Sequence, residues 1–211
     1  MKRDTAFVLP VAAIIALTGA AHADHYEARW SARPLGGVAL LQEGGADPAL
    51  APAAGASIAA AYGITHQLDL GAEVVTMMLE PTFDGAILID GYVARGDFKR
   101  RTSSALFLAG PTWRWGSPDR WTPVLAVSAG GGVRYRSIGV FSTIELMPPG
   151  KTAARTTDLA TSARFGMERR INRRLTVGGY VSTLATWSED APAFAVMSLS
   201  LGLSYVHYPL W

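Results

Sequence analysis

The feature that most constrains this chain is an alternation with a period of two in which one face is almost free of charge. Near the C-terminus Leu199, Leu201, Leu203 and Tyr205 fall on one side, and Ser198, Ser200, Gly202 and Ser204 on the other. That spacing is a strand's, not a helix's. Similar segments bounded by Gly, Pro, Asp and Asn recur near 34–43, 53–64, 67–79, 102–114, 121–137, 158–170, 174–187 and 194–207. The links "THQ" (65–67), "WGSPDR" (115–120) and "INRR" (171–174) are tight. Those at 44–52, 80–101 and 138–157 are long, and 188–193 is intermediate. Tight turns at one end and long loops at the other predict an all-β, eight-stranded antiparallel up-and-down barrel. Counting 85–96 as a further strand would give an odd number and move the "INRR" turn to the long-loop side. That segment is therefore assigned to the second long loop, extending the wall above the barrel.

Charge decides what surrounds the barrel. Asp69 and Glu73 share a face, as do Arg134 and Arg136, and Arg164 and Glu168; Arg114 completes the set. The opposite faces read Leu68, Leu70, Ala72, Val74; Leu125, Val127, Ala129, Val133, Tyr135; and Leu159, Ala163, Phe165, Met167. A soluble lipocalin-like barrel would carry Lys and Glu outside, yet the only lysines beyond residue 23 are Lys99 and Lys151, both in long loops. With lipid outside, an Arg or Lys near mid-membrane costs about 2–4 kcal/mol, so charges retreat to the lumen. Unpaired backbone donors are intolerable in lipid, so the sheet must close. Tyr62, Trp113, Trp115, Trp121 and Tyr205 are expected to form an aromatic girdle at the tight-turn end, with Tyr135, Trp187 and Phe194 at the other. The expected fold is thus a transmembrane β-barrel.

The other end of the chain supplies an address. Residues 1–23 carry Lys2 and Arg3, an apolar stretch from Ala6 to Ala21, and a small-x-small site at Ala21-His22-Ala23. This is the order of a secretory signal peptide, leaving residues 24–211 as one outer-membrane barrel domain. The chain has no cysteine, and 17 % charged residues is low for a water-exposed surface. A net charge of +2 with scattered arginines gives no nucleic-acid footprint.

These residues resemble the small outer-membrane barrel family, the OmpA-like transmembrane barrels, over essentially the whole chain after the signal peptide. The resemblance rests on "GPTWRWGSPDRWTPVLAVSAGGGV" (110–133), "RFGMERRINRRLTVGGYVS" (164–182) and the chain ending. It implies a location in the bacterial cell outer membrane, with outer-membrane lipids and lipopolysaccharide as surroundings. It also implies that Ser200, Gly202, Tyr205 and Trp211 serve as a C-terminal insertion signal for the barrel-assembly machinery. Pro209 departs from that pattern, so strand pairing is expected to end before it.

Eight strands leave an interior that side chains largely fill. Asp69, Glu73, Arg114, Arg134, Arg136, Arg164 and Glu168 are expected to form a lumen charge network that acts as a plug, since buried ions need partners. The alternative is a small-solute channel along the same residues. A lipid-A modifying enzyme needs a nucleophile and base at the outer leaflet. His25, His66 and His207 all fall at or near the tight-turn end, so a non-enzymatic envelope or surface role is favoured. No metal-ligand spacing and no cofactor motif appears. Lys99, Arg100 and Arg101 are candidate contacts for lipopolysaccharide phosphates. Arg95-Gly96-Asp97 matches an adhesion tripeptide that arises readily by chance. The "GGG" at 130–132 is read as easing barrel curvature.

Overall fold

The computed structural model describes residues 27–41, 49–65, 67–80, 82–89, 92–116, 120–141, 152–189 and 193–207. Residues 1–23, expected to be a signal peptide, and His25, His66, Lys151 and Trp211 lie outside the described residues. Nine strands follow one another: β1 (Ala28–Leu41), β2 (Ala49–Gly63), β3 (Leu68–Leu79), β4 (Thr82–Ile89), β5 (Tyr92–Arg114), β6 (Thr122–Phe141), β7 (Thr152–Arg170), β8 (Leu175–Trp187) and β9 (Phe194–His207). Consecutive strands pair antiparallel except β3 and β4; β1 also pairs with β9, and β3 with β5. Closure therefore runs through eight strands, and β4 stands outside the ring. Segment 85–96 is a hairpin: β4 pairs with Tyr92–Lys99 of β5, beyond the point where β3 leaves that strand.

The register is continuous and climbs. From Leu35 it passes through Gly55, Met77, Ser104 and Arg134 to Thr156 of β7. In the opposite direction it passes through Ser200 and Tyr180 to Gly166 of the same strand, ten residues away. That offset is the stagger of the barrel. With eight strands it tilts them by about 40° and leaves a lumen only wide enough for side chains.

Several strand boundaries differ from the sequence expectation, β2 starting at Ala49 and β5 at Tyr92 among them. The first strand starts at Ala28, six residues before the expected 34, because Pro34 is tolerated inside it. Pro34 faces outward, and the pairing with β9 skips Arg33 and Pro34, where no proline N–H is available. The sixth and seventh strands also run farther than expected, to Phe141 and from Thr152.

The tight turns use side chains as well as backbone. Thr65 Oγ1 accepts from the amides of Gln67 and Leu68 at 3.2 and 3.0 Å, and Asn172 Oδ1 from those of Arg174 and Leu175 at 2.8 and 2.9 Å. At the third, Gly116 takes φ 123°, a conformation that favours glycine.

The two faces are sorted as the alternation requires. Outward stand Ile58, Val74, Val127, Leu159, Phe165, Val181, Met197, Leu199, Leu201 and Leu203, all exposed. Outward threonines bond to backbone: Thr76 Oγ1 donates to the Ala56 carbonyl at 3.3 Å. Trp30, Trp121 and Tyr205 ring the tight-turn end, Tyr135 and Trp187 the other. Phe194 does not join them. It shares the parity of Val196 and Ser198, points inward and is buried. Gly130 and Gly132 lie where a Cβ would collide with the Phe107 and Ala105 carbonyls, so close strand approach requires glycine there.

Candidate functional site

The lumen is layered, and strand direction fixes the order. Nearest the tight turns, Glu168 of β7 accepts from Arg114 Nε of β5 at 3.0 Å, from Arg29 of β1 at 3.3 Å, and from the Tyr180 hydroxyl of β8 at 2.7 Å. Asp69 of β3 pairs with the same Arg114 and lies 3.8 Å from Arg29. Glu27 extends the network toward the rim, 3.1 Å from Arg29 and 2.9 Å from Arg170. Each carboxylate here serves at least two guanidinium groups, which satisfies lone pairs that a single partner would leave bare.

Four residues farther along both β1 and β3, Glu73 receives Arg33 and, at 3.1 Å, Arg164. Arg33 Nε also donates to Ser57 Oγ at 3.0 Å. The Tyr180 ring lies beneath both guanidiniums, 5.8 Å from Arg33 and 5.4 Å from Arg164, close enough for cation–π attraction. Room for that ring comes from two glycines. A Cβ on Gly202 would sit 2.7 Å from Tyr180 Cε2 and 3.0 Å from Arg33 Cγ, and one on Gly178 would crowd the hydroxyl.

Above this level the inward face turns apolar. Leu35, Val75, Met77, Leu79, Leu106, Leu108, Leu184 and Val196 pack with small alanines into one cluster that fills the lumen. Beyond it, Arg134 of β6 bonds to Asp158 of β7 at 2.6 Å and to Thr186 Oγ1 of β8 at 2.8 Å. The ring of Phe194 lies 4.6 Å from its guanidinium carbon. Arg134 and Asp158 are each 1 % exposed. Among the described residues, the Arg33–Glu73–Arg164 bridge lines two small cavities of about 50 and 20 Å³.

Of the seven lumen residues read from the sequence, Asp69, Glu73, Arg114, Arg164 and Glu168 are thus linked through shared partners. Arg134 belongs to a separate pair, and Arg136 stands two residues beyond it on the same face, diagonal to Arg100. Sequence reasoning missed Arg29, Arg33, Glu27, Asp158 and Tyr180. Arg29 and Arg33 have the right parity, but the run was cut at Pro34. Asp158 stands at the first position of the expected strand 158–170, where a charge reads as a strand end; β7 in fact begins at Thr152 and carries it inward.

The Lys99-Arg100-Arg101 run is divided by the same alternation. Arg101 faces outward and bonds to Glu80 at 3.2 Å. Arg100 turns to the lumen face with Thr102 and Ser104, away from the outer wall. The side chain of Lys99 lies outside the described residues. Ser200 and Gly202 face the lumen and Tyr205 faces out.

Against known proteins, no family model and no curated sequence matches. Solved structures do. Ail, the attachment invasion locus protein of Yersinia pestis, superposes with a TM-score of 0.56 at 15 % identity, over 87 % of this chain and 100 % of Ail. Ail in complex with the heparin analogue sucrose octasulfate gives 0.54 at 14 % identity, again over 87 % and 100 %. Neisserial surface protein A gives 0.53 at 11 % identity, over 86 % of this chain and 99 % of that one. The fold is that of the small outer-membrane barrels. It is shared here at identities that carry architecture alone.

Proposed function

We propose that this protein is an integral barrel of the bacterial outer membrane with a closed lumen and a non-enzymatic role in envelope structure or surface interaction. The observation that carries the reading is the sequence of layers inside: shared-carboxylate ion pairs, a tightly packed apolar cluster, and a second buried Arg–Asp pair. A hydrated ion would have to displace bonded charges and then pass between packed leucine and valine side chains. Desolvating it there is far costlier than in an open pore. The uncharged outward band, framed by aromatic residues, supports the membrane setting, as does the fold shared with Ail and Neisserial surface protein A. Their names, for attachment and for the surface, support a role exercised by the loop end. The C-terminal strand with Ser200, Gly202, Tyr205 and Trp211 would be presented to the barrel-assembly machinery, and residues 1–23 removed on export.

The test is conductance. Purified wild-type protein in planar bilayers is expected to give no single-channel steps. Steps from a homogeneous, heat-modifiable preparation would overturn the closed lumen in favour of a small-solute channel gated at the Arg33–Glu73–Arg164 bridge, where the two cavities meet.

A further inference from the structure

The outward wall carries its charges at its two ends, and one end is organised as a site. On β5, β6 and β7 the register sets Ser103, Tyr135 and Arg155 side by side, with Arg101 two residues farther toward the long loops. All four face outward. Arg155 lies over the Tyr135 ring, 5.7 Å from its centroid, and has no acidic partner among the described residues. Arg101 is held from one side only. Its Nε bonds to Glu80 at 3.2 Å and one Nη to the Met78 sulfur at 3.2 Å, while its side chain stays 57 % exposed. Between the two arginines lies an open depression of about 240 Å³, lined also by Ser103, Ser137 and Ala154.

Position gives this patch its meaning. Going down the wall from Arg101 and Arg155, the outward residues of these strands are Ser103, Ala105, Phe107, Thr157, Leu159, Thr161 and Val133, none charged. The patch therefore sits where an apolar band ends, at the level of lipid headgroups. Guanidinium forks bind phosphate through two parallel bonds, and an exposed tyrosine ring offers a flat face to a sugar. A cation with no acid partner at a lipid boundary is best neutralised by an anion that arrives with the lipid.

We propose that Arg101, Tyr135 and Arg155 form a binding site for a phosphorylated sugar headgroup of the outer leaflet, the phosphate held between the two guanidiniums and the sugar against Tyr135. The proposal rests on the membrane-barrel reading above, with the long loops outside. It replaces the linear Lys99-Arg100-Arg101 run by a site assembled across three strands. Glu80 acts as a positioning residue, holding Arg101 through Nε while Met78 takes one Nη, so that the other Nη is turned to the ligand.

The experiment uses the full folded barrel in nanodiscs of neutral phospholipid, titrated with diphosphorylated lipid A and, separately, with lipid A stripped of its phosphates. Retention is read by native mass spectrometry. Wild type is expected to hold the phosphorylated form about tenfold more tightly. The double variant Arg101→Ala with Arg155→Ala should lose that preference, while Arg169→Ala, outward at the opposite end of β7, should keep it. Equal retention of the two lipids by wild type, or an undiminished preference in the double variant, would overturn the site. So would displacement of the lipid by millimolar inorganic phosphate, which would identify a soluble-anion site. Heat-modifiable mobility in SDS is measured on every sample. Its loss in the double variant alone would mean misfolding, and single variants Arg155→Lys and Arg155→Gln then decide: the first is expected to retain part of the preference and the second little. Absence of the shift in wild type would sink the barrel reading instead.

Discussion

The two halves of the lumen solve one problem in opposite ways. The half near the tight turns is filled with ions, and every carboxylate there is shared between guanidinium groups drawn from several strands. The half near the long loops is packed with Leu, Val, Met and Phe around the Arg134–Asp158 pair, which Thr186 and Phe194 also touch. In the first half the partners cannot be removed two at a time, because a third is always left over. In the second, Arg134 and Asp158 pair with each other and with hydroxyls of Thr186 and Thr156, beside the Phe194 ring. Charge content alone would not have distinguished them; connectivity does.

That difference can be broken most forcefully at Glu168. Replacing it with Gln leaves Arg29 and Arg114 with a weaker acceptor in a buried setting and is expected to destabilise the barrel by about 3–5 kcal/mol. Urea unfolding in detergent, read by loss of heat-modifiable mobility, measures this. A cost below 1 kcal/mol would mean that the network is solvated. Next is the outer face, against which both halves are built. Leu201→Arg, at a position 75 % exposed on the uncharged wall, should cost about 2–4 kcal/mol when the barrel unfolds from a bilayer. The same change should be nearly silent if that wall faced water.

The comparison itself is sharpened by a matched pair of double substitutions. Arg134→Leu with Asp158→Leu is expected to be neutral or stabilising by about 1–4 kcal/mol, since an apolar pair joins an apolar layer. Arg33→Leu with Glu73→Leu should be strongly destabilising, because Arg164 is stranded. Equal effects in refolding titrations would erase the distinction between the halves. Smallest is Tyr180→Phe, which removes one hydrogen bond to Glu168 and should cost about 1–3 kcal/mol, while Gly202→Val should cost more by driving a branched side chain into the same ring.

Much of the architecture was legible in the chain because period-two alternation reports burial directly. Each of the seven lumen residues read from the sequence sits in a strand, and the face bearing Leu199, Leu201 and Leu203 is the outer one. Phe194 was misplaced because an aromatic near a strand end suits a girdle, and only parity, counted from Val196 and Ser198, sends it inward. Arg29 and Arg33 were missed for a different reason. A proline inside a run reads as a break, and only the three-dimensional sheet shows that Pro34 occupies an outward place where a lost donor is tolerated. The partnerships were the least legible part. Arg29 and Glu168 are 139 residues apart in sequence, and which acid meets which arginine depends on a ten-residue stagger that no local pattern carries.

The stagger also governs how the molecule comes together. Arg29 and Arg33 lie on the first strand, and their carboxylates on the third and seventh. The first and last strands are neighbours only once the sheet has wrapped around completely. Until that seam zips, the guanidiniums and acids of the interior face an open trough, and a half-made sheet is a poor passenger for a bilayer. Pairs on neighbouring strands, such as Arg134–Asp158 and Arg114–Asp69, do not need the seam, but the reach of Arg29 to Glu168 does. The last charges are matched as the seam closes, like a fastener whose final teeth engage only when its two edges are drawn together.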